Sequence, residues 1–454
     1  MTRAQIQMTY GGHIRAVALL GFPLVGGHLA QFAIGMTDSM MLGWYGVEEL
    51  AAVTLAGSYF FVLFLTGAGF GFAVMPLVAM ANAAGDETSA RRATRMGLWL
   101  SVLYAVAVLP LLWWSGPILL RLGQGEAVAA DAARYLQVAC WGLVPALLVM
   151  VLKSYLAALE RTQVVLWVTV LAALANAVAD YGLIFGNWGL PEMGIRGAAL
   201  ASVVTHMISL FAVVVYVLRA LPEQELFRRL WRPDWEMFFR VFRLGVPIGI
   251  TSLTEISLFS ASALMMGWLG TAPLAAHGIA LQLASATFMV HLGLSNAATV
   301  RAGNAYGRRD RAHMARGAAV VTVMSLVASA LTILLFLLLP GPLMALFLDP
   351  ADPEWPQILR IGTGLLAAAA LFQLVDGAQV IALGLLRGVQ DTGVPMVMAT
   401  LAYWGVGIPA SYVLGFPAGL GGVGIWLGLA AGLGVAGVLL MGRFWRQGLD
   451  RVDR

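Results

Sequence analysis

The sequence predicts an all-α integral membrane protein: twelve transmembrane helices in two parallel-repeat six-helix lobes around a central cavity. Three observations carry this prediction. Of the 454 residues, 60% are apolar and only 11% charged, against about 25% charged in a soluble globular protein. The charges cluster, and each stretch between clusters approaches the ~20 apolar residues that cross ~30 Å of hydrocarbon. Finally, Met41-x-Gly43-Trp44-x-Gly46-x-x-x-Leu50-Ala51-Ala52 recurs 224 residues later as Met265-x-Gly267-Trp268-x-Gly270-x-x-x-Leu274-Ala275-Ala276.

Taken in order, residues 1–15 are polar and the first span covers 16–40. No small-residue cleavage site follows it, so it reads as a retained helix and not a removed signal peptide. Spans 51–80, 96–119, 133–158, 163–186 and 195–218 complete the first half. The second half holds 241–268, 274–300, 317–339, 358–386, 394–415 and 421–442. Many exceed the minimum length, which calls for tilt or kinks. Pro23, Pro76, Pro145, Pro247, Pro395 and Pro409 lie within or near the ends of these spans, and each frees a carbonyl that neighbours must satisfy. Most are packing features; Pro23 and Pro247, equivalent at the 224-residue spacing, are the hinge candidates. The predicted organisation is an N-lobe at 1–218, a basic cytoplasmic linker at 219–240, and a C-lobe with a cytoplasmic tail at 241–454.

Alternate loops and the two termini hold 23 of the 27 Lys and Arg residues. By the positive-inside rule both termini are cytoplasmic, and the acidic loop Asp349–Glu354 falls on the other side. Topology thus explains the basic clusters without nucleic acid. The single cysteine, Cys140, excludes an intramolecular disulfide, and the six histidines show no metal-binding spacing. Six spans per half is an even number, so both halves cross the membrane in the same sense, as in transporters with parallel repeats. Weaker likenesses join Asn82-Ala83-x-Gly85 to Asn304-Ala305-x-Gly307 and Gly194-x-x-Gly197 to Gly421-x-x-Gly424.

Four carboxylates lie inside spans: Asp38, Asp180, Glu255 and Asp376. A charge at the bilayer centre costs at least ~2.5–3.5 kcal/mol, so such residues usually mark ion or substrate pathways. The repeat serves as a control. Asp38 aligns with Ser262 and Glu255 with Gln31 at a spacing of 224; Asp180 aligns with Ala410 and Asp376 with Ala146 at 230. No acid has an acidic counterpart, so the architecture does not require them. Asn176 shares a helix face with Asp180, Gln373 and Gln379 flank Asp376, and Thr251, Ser252 and Thr254 make the seventh span polar around Glu255. Buried carboxylates exchange protons or hard cations; a soft metal would want His or Cys. Asp38, near the end of its helix, also admits an interfacial reading. Candidate cavity residues are Gln31, Met36, Phe60, Phe64, Met265, Phe288 and Gln373, because flexible thioethers and aromatic rings suit varied apolar cations. Lipid contact and packing account for the apolar ones equally well.

In these features the chain resembles the multidrug and toxic compound extrusion (MATE) family, its NorM-like branch in particular, over about residues 14–440. The resemblance rests on Pro23 and Asp38 with Gly43; Pro145 with Tyr155-Leu156; Asn176 and Asp180; Gly194-Ile-Arg-Gly197-Ala-Ala; Pro247 and Glu255; Asn304-Ala-Tyr-Gly307; and Asp376 with Leu386-Arg387-Gly388. It implies two lobes in a V shape that open alternately to each side, and export of organic cations by antiport with Na⁺ or H⁺. It implies a C-lobe cation site at Glu255 and Asp376, with Na⁺ as one possible occupant. It also implies an N-lobe cation or proton site at Asp38, Asn176 and Asp180, with a hydroxyl from Ser202 or Thr205. This chain carries both sets.

The expected protein is a multi-pass transporter of the cell inner membrane. It acts as a monomer among membrane lipids, with small organic cations as substrates and no cofactor beyond the coupling ion. A flippase for lipid-linked saccharides or polyisoprenoids is the alternative. It would want several intramembrane Arg and Lys for pyrophosphate, and here Lys153 stands nearly alone. An intramembrane enzyme would need a nucleophile–base or metal-ligand set, which His28, His206, His277 and His291 do not form. A passive channel would not call for asymmetric acids in a two-lobe repeat.

Overall fold

The computed structural model describes residues 8–347 and 353–453; Asp349 and Asp352 of the acidic loop lie outside the described residues. Twelve helices are long and apolar enough to cross a membrane, and no strand occurs among the described residues. They are α1 (Tyr10–Tyr45), α2 (Glu48–Ala83), α3 (Glu87–Trp113), α4 (Glu126–Ala158), α5 (Thr162–Phe185), α6 (Ile195–Ala220), α7 (Trp235–Leu269), α8 (Thr271–Gly307), α9 (Arg311–Leu338), α10 (Trp355–Gly388), α11 (Gly393–Gly415) and α12 (Gly421–Val452). Several overrun the spans read from apolar runs. At 36 residues, α1 is roughly 54 Å long, because helical hydrogen bonding continues where hydrocarbon ends. Two helices are irregular: α12 widens to a π-helix at Phe444–Gly448, and α11 at Leu401–Gly407. Pro409 lacks an N–H and would crowd the carbonyl of Gly405 in a regular turn; a wider turn relieves that crowding.

The repeat extends to individual hydrogen bonds. At the end of α2, Gly85 N–H donates to Asn82 O and Asp86 N–H to Ala81 O; at the end of α8, Arg309 donates to Tyr306 O and Asp310 to Ala305 O. Asp86 then caps α3 by accepting from Ser89 N–H, as Asp310 caps α9 by accepting from His313 N–H. Every pair is 224 residues apart, and Gly85 and Arg309 share positive φ (76° and 54°). The structural equivalent of Gly85 is therefore Arg309. The Asn-Ala-x-Gly likeness, which pairs Gly85 with Gly307, is two residues out of register. Where α4 meets α5 and α10 meets α11, the spacing is 230: Glu160 and Gln390 both take positive φ, at 62° and 58°. Each donates its N–H three residues back, to Ala157 O and Arg387 O.

Contacts divide the chain into two compact units. One is Gly26–Gly249; the other joins the residues up to Val25 to Ile250–Arg454. The breaks at Val25 and Gly249 are themselves 224 apart, two residues after Pro23 and Pro247. Each opening helix thus begins in one unit and ends in the other. Within the unit Gly26–Gly249, the start of α7 packs on α2 at a glycine: a Cβ on Gly69 would stand 2.5 Å from Gly245 O and 2.7 Å from Gly249 N. Within the other unit the start of α1 packs on α8 at the equivalent residue, where a Cβ on Gly293 would stand 2.6 Å from Val25 N. The obstacles are backbone atoms, which cannot rotate aside. Gly69→Ala is therefore expected to destabilise by at least the ~1–3 kcal/mol of an overpacked core. Gly57→Ala, on the same helix with nothing within 4 Å, should gain up to ~1 kcal/mol of helix propensity. Thermal unfolding of the two variants in detergent checks this, and a similar Tm for both would refute the backbone-contact argument.

The basic stretch after α6 is held within its unit by α3. Arg95 donates to Glu225 O and Leu226 O at 2.7 Å each, Trp99 Nε1 to Leu230 O at 2.8 Å, and Arg92 pairs with Asp234 and Glu236. The Arg92 guanidinium holds the Asp234 carboxyl below its ordinary range.

Candidate functional site

In the unit that contains Ile250–Arg454, the polar turns of α7 are satisfied locally. Thr254 Oγ1 donates to Thr251 O (2.9 Å) and Ser257 Oγ to Thr254 O (2.7 Å), which lets a helix carry hydroxyls through hydrocarbon. Glu255 instead faces α10. Gln379 Nε2 donates to Glu255 Oε1 at 3.0 Å and, more weakly, to Asp376 Oδ1 at 3.4 Å. Behind it, Tyr403 donates its hydroxyl to Gln379 Oε1 at 2.8 Å. Asp376 is 2% exposed, and Gln379 and Tyr403 are fully buried. Arg387, two turns after Gln379, lies within electrostatic reach of Glu255. Two carboxylates and one guanidinium give the cluster one net negative charge when all are ionised. The π-turn of α11 supports it: Tyr403 reaches α10, while Trp404 Nε1 donates to Ser257 Oγ on α7 at 3.0 Å.

In the unit Gly26–Gly249 the arrangement is different. Asp38 on α1 lies against Asn176 and Asp180 on α5. Asn176 and Asp180 are fully buried. Both carboxylate oxygens of Asp180, both polar atoms of Asn176 and Oδ1 of Asp38 have no hydrogen-bond partner. The Tyr135 ring on α4 stands within electrostatic reach of both acids, with Ser202 of α6 beside its hydroxyl. The other hydroxyl candidate, Thr205, donates to Ala201 O of its own helix at 2.8 Å. An orphaned buried polar group costs about 1–3 kcal/mol, so this donor-poor set of oxygens fits a proton or a hard cation.

All four acids predicted from sequence fall into these two clusters, two in each. Tyr403 and Tyr135 escaped sequence reasoning, and Arg387 was read only as part of a motif. A usable signal existed for the tyrosines, because a phenol inside a span must find a partner for its hydroxyl. The cavity candidates fare unevenly. Gln31 is exposed; Met36, Phe60, Phe64 and Phe288 are half-buried. Met265 is 4% exposed, inside the apolar core of its unit, and Gln373 is fully buried with its amide donating to Ala284 O. Core packing thus takes up Met265, and α8 the amide of Gln373.

A helical membrane protein built from two parallel repeats, with a pair of carboxylates inside the spans of each, is of the transporter class. The MatE family model matches residues 23–182 and again 247–413, two copies that start 224 residues apart, and the chain belongs to this family. It is 45% identical to "Probable multidrug resistance protein NorM" of Rhizobium meliloti (strain 1021), covering 98% of this chain and 95% of the relative. It is 44% identical to the protein so named from Agrobacterium fabrum, over 95% and 93%. Among solved structures, the eukaryotic MATE transporter AtDTX14 superposes with a TM-score of 0.87 over 98% of both chains, at 20% identity.

Proposed function

We propose that this protein is a secondary active multidrug efflux transporter of the inner membrane, with both termini cytoplasmic, which exports organic cations in exchange for Na⁺ or H⁺. The observation that carries the coupling is the set of orphaned oxygens at Asp38, Asn176 and Asp180. Inside a bilayer they need a proton or a cation, and a set that must be refilled in every cycle ties transport to an ion gradient. The names of the relatives support the drug-export half of the reading.

Glu255 and Asp376 form the second ion site. Gln379 now turns its amide nitrogen to both carboxylates. Turning the amide over would offer Oε1 to a cation, and the Tyr403 hydroxyl can accept from nitrogen as readily as it donates to oxygen. The Gln379–Tyr403 pair therefore lets one cluster serve either a proton or Na⁺. Pro23 and Pro247 act as hinges for alternating access of the two lobes, since each lies two residues before a break between the compact units. Ser202, beside Tyr135, is the hydroxyl of the first site in preference to Thr205. The protein works as a monomer among membrane lipids and needs no cofactor.

The test is dye efflux from proteoliposomes with Na⁺ and pH gradients imposed separately. At least one gradient is expected to drive efflux, and the driving ion should weaken dye affinity by ~1–3 kcal/mol of reciprocal coupling. Efflux and affinity indifferent to both ions would rule out antiport.

A further inference from the structure

One basic cluster in the unit Gly26–Gly249 is used by neither ion site. Lys153, inside α4, donates from Nζ to Thr169 Oγ1 of α5 at 2.8 Å. His28 of α1 and His206 of α6 both lie within electrostatic reach of this amine. Close helix packing brings them together. A Cβ on Gly26 would stand 2.9 Å from Leu166 Cδ1, and one on Gly27 3.9 Å from Leu166 Cα, so α1 runs tightly along α5 beside Thr169. His206 packs against α4 at Gly142, 3.4 Å from the position of a Cβ there. Lys153, His28 and His206 are each half-buried, so each keeps an accessible edge.

Among the described residues no carboxylate acts on Lys153. The other unit provides the contrast: its cation on the equivalent helix, Arg387, has Glu255 beside it. An ammonium inside a membrane span without an acid is costly; such groups pair with another polar group or mark a substrate pathway, where a ligand brings the counter-charge. Thr169 also has a telling position. It shares a face of α5 with Asn176 and Asp180, seven and eleven residues on, which places the basic site about 10 Å and 16 Å along the axis from them. A single helix face thus presents a cationic site at one level and an anionic site at another.

We propose that Lys153, His28 and His206, with the buried Thr169 orienting the lysine, form an intramembrane oxyanion site that takes a carboxylate or phosphate group of an amphiphilic ligand. The ammonium supplies charge-assisted hydrogen bonds and the imidazoles supply further donors, while the Thr169 hydroxyl, which donates to Val165 O of its own helix at 2.8 Å, accepts from Lys153 and holds the amine in place. The site stands apart from the antiport reading, because it concerns equilibrium binding and needs no gradient.

Binding to the purified full-length protein in detergent tests it, with two xanthene dyes as probes, one bearing a free carboxylate and the other its ethyl ester. Lys153→Met is expected to weaken the free-carboxylate dye by roughly tenfold or more, about 1.4 kcal/mol, and the ester by less than about twofold. Lys153→Arg should restore carboxylate binding. Phosphatidylglycerol and phosphatidylcholine, compared in nanodiscs by native mass spectrometry, distinguish the sources. Loss of phosphatidylglycerol retention alone assigns the oxyanion to a lipid headgroup, and loss of the carboxylate dye assigns it to a soluble carboxylate ligand. If Lys153→Met lowers the yield of folded protein, Lys153→Gln is read in its place. Equal changes for both dyes, or no change in either dye or lipid, would overturn the proposal.

Discussion

Asp376→Asn is expected to abolish gradient-driven efflux, down to the leak rate of empty vesicles, without lowering Tm. The carboxylate is 2% exposed, and its hydrogen bond from Gln379 is long at 3.4 Å. Removing its charge at nearly constant shape therefore spares the packing while deleting an ion-binding group. Glu255→Gln should stop efflux as well, but with a measurable fall in Tm, because Arg387 then loses the acid beside it. Breaking a buried ion pair costs about 3–5 kcal/mol; removing an acid within electrostatic reach of the half-buried Arg387 is expected to cost less. The two variants are compared by dye efflux from proteoliposomes and by thermal unfolding in detergent. Full efflux in Asp376→Asn would remove this cluster from the coupling mechanism, and an equal loss of Tm in both would return the acids to a structural role.

The second large effect concerns Asp180. Asp180→Asn replaces an orphaned carboxylate oxygen with an amide donor beside Asp38, whose Oδ1 lacks a hydrogen-bond partner. One new buried hydrogen bond is worth about 0.5–1.5 kcal/mol, so Tm should hold or rise. Transport should nonetheless fall to background, because a site satisfied from within no longer needs the ion. Greater stability with lost activity is the usual pattern when a functional site is relieved of its strain. A lowered Tm would show that the carboxylate is structural, and normal transport would show that the cluster is not an ion site.

The two clusters were unequally legible. Asp38, Asp180, Glu255 and Asp376 stand out because a charge in a long apolar run is expensive wherever that run packs. Asn176 and Gln379 follow from helical spacing to an acid. Tyr403 does not follow from any spacing, since its place depends on the wide turn of α11 and on α10 packing across from it. Ser202 and Thr205 are three residues apart on one helix and were equivalent candidates. Only the fold puts Ser202 beside Tyr135 and commits Thr205 to its own backbone. The Asn-Ala-x-Gly likeness misled by two residues, because composition alone favoured a glycine match where the hydrogen-bond pattern places Arg309 opposite Gly85.

The sequence by itself determined that this protein crosses a membrane twelve times, that it is built twice over, and which acids it buries. Those properties depend on run length, on periodicity and on the desolvation cost of charge, all of which act on single segments. The tertiary structure decided what depends on segments far apart in the chain. It assigned the start of α1 to the unit of α8 and the start of α7 to the unit of α2 through the backbone contacts at Gly293 and Gly69. It also decided that one acid pair shares the amide of Gln379 while both oxygens of Asp180 are left without a hydrogen-bond partner. Glycine contacts of backbone on backbone, and hydrogen bonds of a few ångströms between helices, carry no local sequence signal, because either partner alone is compatible with many neighbours.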